Sequence, residues 1–315
     1  MGTVIHSSEF QRIEYFCNNQ TRNDAIAFVF SSWGNRMLEG NIWGGEVFLR
    51  NGFDVIAFNN SNDDWFQSIP ARVFETINSV ITYNQYKMKV GYGSSMGAYA
   101  SIAFSKLLDL DKAVVISPQF IISEPFDERW LAESKRINFV YQISEDEVSQ
   151  KCKFQILYDD KDLDRLHVEM LVKVIPAENV ELYKLPYTGH PSTFYLHEIE
   201  QTYEIIKECR SGSVNRLNLR ADRSRSHTYL SNLSAALNSS RKFKMSLSTI
   251  DSAIALNSSR ATYHKTRSAV LEKMNLVDES LNSLKIAISL DPENSSYQKE
   301  LTQLSATLLS ENSNY

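Results

Sequence analysis

The chain has 315 residues, 43% of them apolar and 23% charged, with a formal net charge of −5. That is the mix of an ordinary globular protein with room for about two domains, and its acidic balance excludes a nucleic-acid surface as the main business. Three scattered cysteines, Cys17, Cys152 and Cys209, with no C-x-x-C pattern, point to reduced thiols in a cytoplasmic protein and exclude a disulfide framework or zinc site.

No basic stretch followed by an apolar one stands at the start, so no signal peptide is expected. His6 fills the place that a myristoylation signal gives to Ser or Thr. Apolar runs such as Ala25–Phe30 fall far short of the roughly 18 residues of a membrane span.

In chain order, Arg12–Phe16 alternates like an edge strand, and Asp24–Ser31 is a continuous apolar run, as in a strand buried on both faces. Glu46–Gly52 reads as a helix end with a glycine stop, and Phe53–Phe58 as another buried strand before the polar loop Asn59–Trp65. A helix is expected from about Pro70 to Tyr86, then a short strand Lys87–Val90 and a helix Met96–Leu108. Lys112–Ser117, Lys153–Tyr158 and Val180–Leu185 are further strands, with helical periodicity over Asp164–Val174. Strands alternating with helices predict an α/β domain with a mainly parallel sheet covered on both faces. Residues 119–150 interrupt the rhythm; such an insertion is a lid or substrate wall, or else a surface excursion.

Between strand and helix lies Gly93-x-Ser95-x-Gly97, the G-x-S-x-G pattern of a strained strand-to-helix turn that exposes its central serine. Small residues are needed two positions either side, because strand and helix backbones nearly touch there. A phosphate loop fits less well: Gly91-x-Gly93-x-x-Met96 breaks G-x-G-x-x-G at its last position, and there is no G-x-x-x-x-G-K-[ST].

A nucleophilic serine needs a base oriented by a carboxylate. Asp159-Asp160-Lys161-Asp162-Leu163-Asp164 follows one strand and Thr188-Gly189-His190 follows the next, in the order serine, acid, histidine. On these motifs the first 210 or so residues resemble an α/β-hydrolase. The resemblance implies Ser95 as nucleophile, His190 as base and Asp162 as acid, with Asp164 the alternative, since Asp159 stands where the family commonly has glycine. Asp159 and Asp160 read as turn or capping residues. His167, inside the helix after the acid loop, reads as a surface residue or one step removed from the site. By position, the backbone amides of Met96 and Trp33 would form the oxyanion hole. Trp33 also suits a pocket wall, with Trp65 and Trp43 more readily placed in the core.

After Arg210 strand patterns vanish. Residues 210–226 carry Arg210, Arg216, Arg220, Arg223 and Arg225 among polar residues and read as a linker or first helix, without the interleaved aromatics of a nucleic-acid groove. Beyond them, Tyr229 and Tyr263, Ser234 and Ser268, Ser246 and Ser280, and Ala253 and Ala287 each stand 34 residues apart. This region, 211–315, resembles two tetratricopeptide units with a terminal helix over about Asn294–Ser310. Asn257-Ser258 departs from the Asp-Pro that closes the second unit as Asp291-Pro292.

Together the resemblances imply a serine esterase acting on a small-molecule or glycan-linked acyl ester without metal or cofactor. An acyltransferase or deacylase, or an interaction protein on a weakly active hydrolase scaffold, are the alternatives. A protein partner or a second copy would engage residues 229–310.

Overall fold

The structure, a computed structural model, describes residues 2–17, 23–40, 42–211 and 217–312. It divides into two compact units, Met1–Pro186 with His190–Leu219, and Tyr187–Gly189 with Arg220–Tyr315. Part of the expected linker, 212–216, lies outside the described residues.

The first unit is built on eight strands: β1 (Thr3–Ser7), β2 (Gln11–Phe16), β3 (Ala25–Phe30), β4 (Asp54–Asn60), β5 (Met88–Ser94), β6 (Lys112–Ile116), β7 (Lys153–Tyr158) and β8 (Val180–Lys184). They form one sheet in the order β1-β2-β4-β3-β5-β6-β7-β8. Every pairing from β4 to β8 is parallel, and only β1–β2 and β2–β4 are antiparallel. β1 is too polar and exposed to show an apolar alternation; it joins β2 through a tight turn in which Ser8 N–H donates to the Gln11 carbonyl at 2.9 Å.

All residues of β3 and β4 are buried. Successive side chains of a strand point to opposite faces, so both faces of the sheet centre are covered. The helices of this unit are α1 (Gly45–Arg50), α2 (Ala71–Asn84), α3 (Met96–Ala103), α4 (Leu131–Arg136), α5 (Asp164–Val174), α6 (Thr193–Glu198) and α7 (Gln201–Ser211), and all but α4, which has no buried residue, supply the cover. Phe30 of β3 stacks on Phe58 of β4 with ring centroids 4.5 Å apart; truncating such a ring to alanine costs about 3–5 kcal/mol.

α3 stops at Ala103, short of the expected Leu108. The Ser105 hydroxyl donates to the Ile102 carbonyl at 2.7 Å, competing with the helical ladder. Residues 119–150 hold a single 3₁₀ turn, Glu128–Trp130, followed by α4. Ile122, Trp130, Ile143 and Val148 from this segment are buried in the main core. Gln67 brackets its backbone, donating to the Tyr141 carbonyl and accepting from the Tyr141 amide at 2.7 Å.

The second unit is all helix: α8 (His227–Ser239), α9 (Phe243–Leu256), α10 (Ala261–Lys273), α11 (Val277–Leu290) and α12 (Ser295–Asn312), each packed on the next. The 34-residue sequence period is repeated in its contacts. Ser234 and Ser246 hydroxyls meet at 2.9 Å, and Ser268 and Ser280 hydroxyls at 2.8 Å. Small hydroxyl residues let the helix backbones approach and satisfy each other's polar groups. Ile250, Ala253 and Tyr263 form one small core, and Leu284, Ala287 and Tyr297 form its counterpart. Tyr297 thus carries the period into α12. Among the described residues no helix is long and apolar enough to cross a membrane.

Candidate active site

Ser95 alone makes the corner between β5 and α3. Its backbone sits at φ 52°, ψ −117°, a left-handed conformation that non-glycine residues rarely adopt. The surrounding packing holds it there, and the Ser95 amide donates to the Ile116 carbonyl of β6 at 2.9 Å. The two glycines of the motif are needed for space. A Cβ on Gly93 would stand 2.3 Å from the Gly97 carbonyl carbon, and one on Gly97 would stand 2.5 Å from the Phe30 carbonyl oxygen.

The loop after β8 brings His190 to this corner. Ser95 Oγ lies 2.8 Å from His190 Nε2, and His190 Nδ1 lies 2.7 Å from Asp164 Oδ1. A carboxylate only accepts, so Nδ1 carries the ring proton and Nε2 is left to accept from the serine hydroxyl. That tautomer is the one a general base requires.

Of the two acidic candidates, the structure pairs Asp164 with the histidine, not the first-ranked Asp162. Asp164 opens α5 and its side chain is fully buried; Asp162 is a third exposed and receives Arg129 Nη1 at 3.2 Å. Burial alone would raise the Asp164 carboxyl. The hydrogen bond and charge of His190, the Ser117 hydroxyl and the nearby Arg129 outweigh it, and the group is held below its ordinary value. Asp159 is a turn residue as expected, its side chain accepting from the Lys161 amide at 2.8 Å.

Arg129, in the inserted segment, was not singled out by sequence reasoning. Its Nε and Nη2 grip both oxygens of Asp127 at 2.7 and 2.8 Å, and Nη2 also reaches Asp164 Oδ1 at 3.3 Å. Asp127 is fully buried, and its second partner is His167 Nε2 at 2.9 Å. His167 Nδ1 accepts the Phe120 amide at 3.3 Å, which assigns the proton to Nε2. His167 is therefore wholly internal, so its surface reading fails. The signal available was Asp127-Glu128-Arg129-Trp130, a charged run ending in tryptophan within a segment otherwise without strands.

Met96 is the first residue of α3, and Trp33 lies in the loop after β3. Ser32 ties that loop to the elbow, its hydroxyl donating to the Ser94 carbonyl at 3.2 Å. The Ser31 and Gly34 amides are taken up by the Phe58 carbonyl and the Asp63 carboxylate. Among the described residues no hydrogen bond is made by the amides of Trp33 or Met96.

Three tryptophans meet near His190. Trp130 lies 5.9 Å from the imidazole, 5.8 Å from Trp33 and 5.4 Å from Trp65, measured between ring centroids. Trp65 is fully buried with its indole N–H on Gln119 Oε1 at 3.0 Å, whereas Trp33 is 45% exposed. Trp43 stands just before α1. His6 is in β1 and His197 in α6, while His227 and His264 belong to the helical unit.

A mainly parallel sheet in this strand order, with a serine at a strained corner after β5 and a histidine after the last strand, is the α/β-hydrolase fold. No protein-family model matches the chain, nor does any curated protein sequence. Among solved structures it is similar to the capsule O-acetyltransferase of Neisseria meningitidis serogroup A, at 13% identity and TM-score 0.44 over 64% of this chain and 93% of that one. It is also similar to Est1E from Butyrivibrio proteoclasticus, at 14% identity and TM-score 0.43 over 66% of this chain and 96% of that one. A structure from Agrobacterium vitis S4 is similar at 15% identity and TM-score 0.44, over 66% and 97% of the two chains.

Proposed function

We propose that the chain is a serine hydrolase acting on a carboxylic ester or other acyl group through Ser95, His190 and Asp164. The observation that carries this reading is the unbroken hydrogen-bond relay from Ser95 Oγ through His190 to the buried Asp164, with both steps under 3 Å.

In the reaction, His190 Nε2 takes the hydroxyl proton as Ser95 Oγ bonds to the acyl carbon. The carbonyl π pair moves onto its oxygen, and the free amides of Met96 and Trp33 face the resulting oxyanion. Asp164 holds the imidazolium by its Nδ1–H. Collapse expels the alcohol, which receives the proton from Nε2, and the acyl group stays on Ser95. Water, or an acceptor hydroxyl in a transfer reaction, then attacks with His190 again as base and regenerates the serine. The site needs no metal or cofactor for these steps.

The helical unit is proposed as a tetratricopeptide-like module that engages a protein partner or a second copy of the chain. The repeated serine pairs and the tyrosines at residues 229, 263 and 297 support that reading. Outside that unit, the scattered Cys17, Cys152 and Cys209, with no C-x-x-C pattern, support a reducing, cytoplasmic setting.

The test is fluorophosphonate labelling and hydrolysis of p-nitrophenyl acetate by wild type, Ser95→Ala and His190→Ala. Labelling at Ser95, with both activities lost in the variants, is expected. A folded wild type that neither labels nor hydrolyses would sink the reading.

A further inference from the structure

The oxygen of Asp164 that receives His190 Nδ1 at 2.7 Å also receives Arg129 Nη2 at 3.3 Å. Arg129 is itself anchored: two of its nitrogens grip Asp127, which is fully buried, and Asp127 is held by the internal His167. The next residue, Trp130, lies against the His190 ring. Two consecutive residues of the inserted segment, Arg129 and Trp130, thus reach the acid and the base from outside the loops that carry them.

We propose that Arg129 is a positioning residue for the relay, the inserted segment 127–130 serving as a fixed brace that orients Asp164 and tempers its charge. This rests on the serine-hydrolase reading above. Arg129, fixed on Asp127, meets the same Asp164 oxygen that accepts from His190 and so limits rotation of the carboxylate about its χ angles. The charge acts as well. The guanidinium, on the same Asp164 oxygen that His190 uses, cancels part of the field that the carboxylate sets up at the imidazole. The charged and titratable groups facing the pair are Arg129 itself, Asp162 from the β7–α5 loop, and Asp127 and His167 behind Arg129. Seven of every ten parts of the Arg129 side chain are shielded from solvent, its exposure being 28%, so solvent screens this charge only in part.

The experiment measures the pH dependence of fluorophosphonate labelling of Ser95 in the full chain for wild type, Arg129→Met, Arg129→Lys and Asp162→Asn, with circular dichroism as the folding control. Arg129→Met is expected to label roughly 10- to 100-fold more slowly at its optimum. The acidic limb of its pH profile should also move to higher pH, because a positive charge beside the relay is lost. Arg129→Lys keeps the charge without the fork, so it should slow labelling while leaving the acidic limb in place. Asp162→Asn, at the exposed tip of the fork, should stay within about threefold of wild type. A role confined to holding the fold would lower stability without moving the limb. Should Arg129→Met fail to fold, the Lys variant carries the comparison: wild-type labelling rates in it overturn the proposal. Unchanged rate and limb in a folded Arg129→Met overturn it equally. Wild type that does not label at Ser95 overturns the hydrolase reading itself and this inference with it.

Discussion

Gly93 and Gly97 face each other across the Ser95 corner so closely that a single Cβ on Gly93 would lie 2.3 Å from the Gly97 carbonyl. Both neighbours are backbone, in a buried strand and a buried helix, so neither has a side chain to swing aside. Gly93→Ala should therefore destabilise the hydrolase unit by roughly 3 kcal/mol, measured by urea denaturation. A change under about 1 kcal/mol would mean that the strand and helix part more easily than this packing implies.

The choice between the two acids is open to direct kinetics. Asp164→Asn leaves a group that no longer holds the Nδ1–H tautomer, and esterase kcat should fall by about 10⁴-fold. Asp162→Asn should stay within about tenfold, since Asp162 contacts only the rim of the Arg129 fork. Equal losses in the two variants would return the acid role to both.

Acid stability follows from two depressed carboxyls. Burial opposes ionisation of Asp127, but His167 and Arg129 prevail, as His190 does at Asp164, and both carboxyls are held below the ordinary aspartate value. Below that value the unfolded chain takes up protons that the folded chain refuses, so stability falls as pH drops. The stabilisation is present above about pH 4 and is lost as pH descends through the folded values. Thermal melts of wild type between pH 5 and about pH 2.5 should show a steep fall in Tm, shallower in Asp127→Asn. Parallel slopes would contradict the assignment.

Thiol chemistry should sort the cysteines by burial. Cys17 is exposed, while Cys152 and Cys209 are buried, the Cys209 thiol being pushed up to about 12 chiefly by desolvation. Burial likewise raises the Cys152 thiol. At pH 8, a thiol reagent should modify one cysteine of the native protein rapidly and the other two only after denaturation. Rapid native labelling of Cys209 would show that its surroundings open.

In the helical unit, Ser268→Leu should force α10 and α11 apart where the Ser268 and Ser280 hydroxyls now meet. Overpacking at such a crossing costs about 1–3 kcal/mol, whereas Ser268→Ala, which keeps the close approach, should cost only about 1 kcal/mol. The comparison is read by thermal melting followed at 222 nm. Equal effects would show that the small side chain is not what the crossing needs.

Residue pattern by itself determined what depends on local backbone chemistry. The glycine spacing around Ser95 marks a corner because strand and helix must touch there, and unbroken apolar runs mark strands because both their faces are covered. The order of serine, acidic loop and histidine follows the order of those strands, and the 34-residue period follows from helices that repeat one packing. The tertiary structure decided the rest. Asp162 and Asp164 are two residues apart, but Asp164 opens a helix where each residue turns about 100°, so the two carboxyls point to different places. The one that meets His190, 26 residues further along, is fixed by how α5 packs on the sheet. Arg129 and Trp130 reach the same pair from an insertion with no strand pattern to place it. Their role rests on contacts spanning 35 and 60 residues of chain, which nothing in their own neighbourhood encodes.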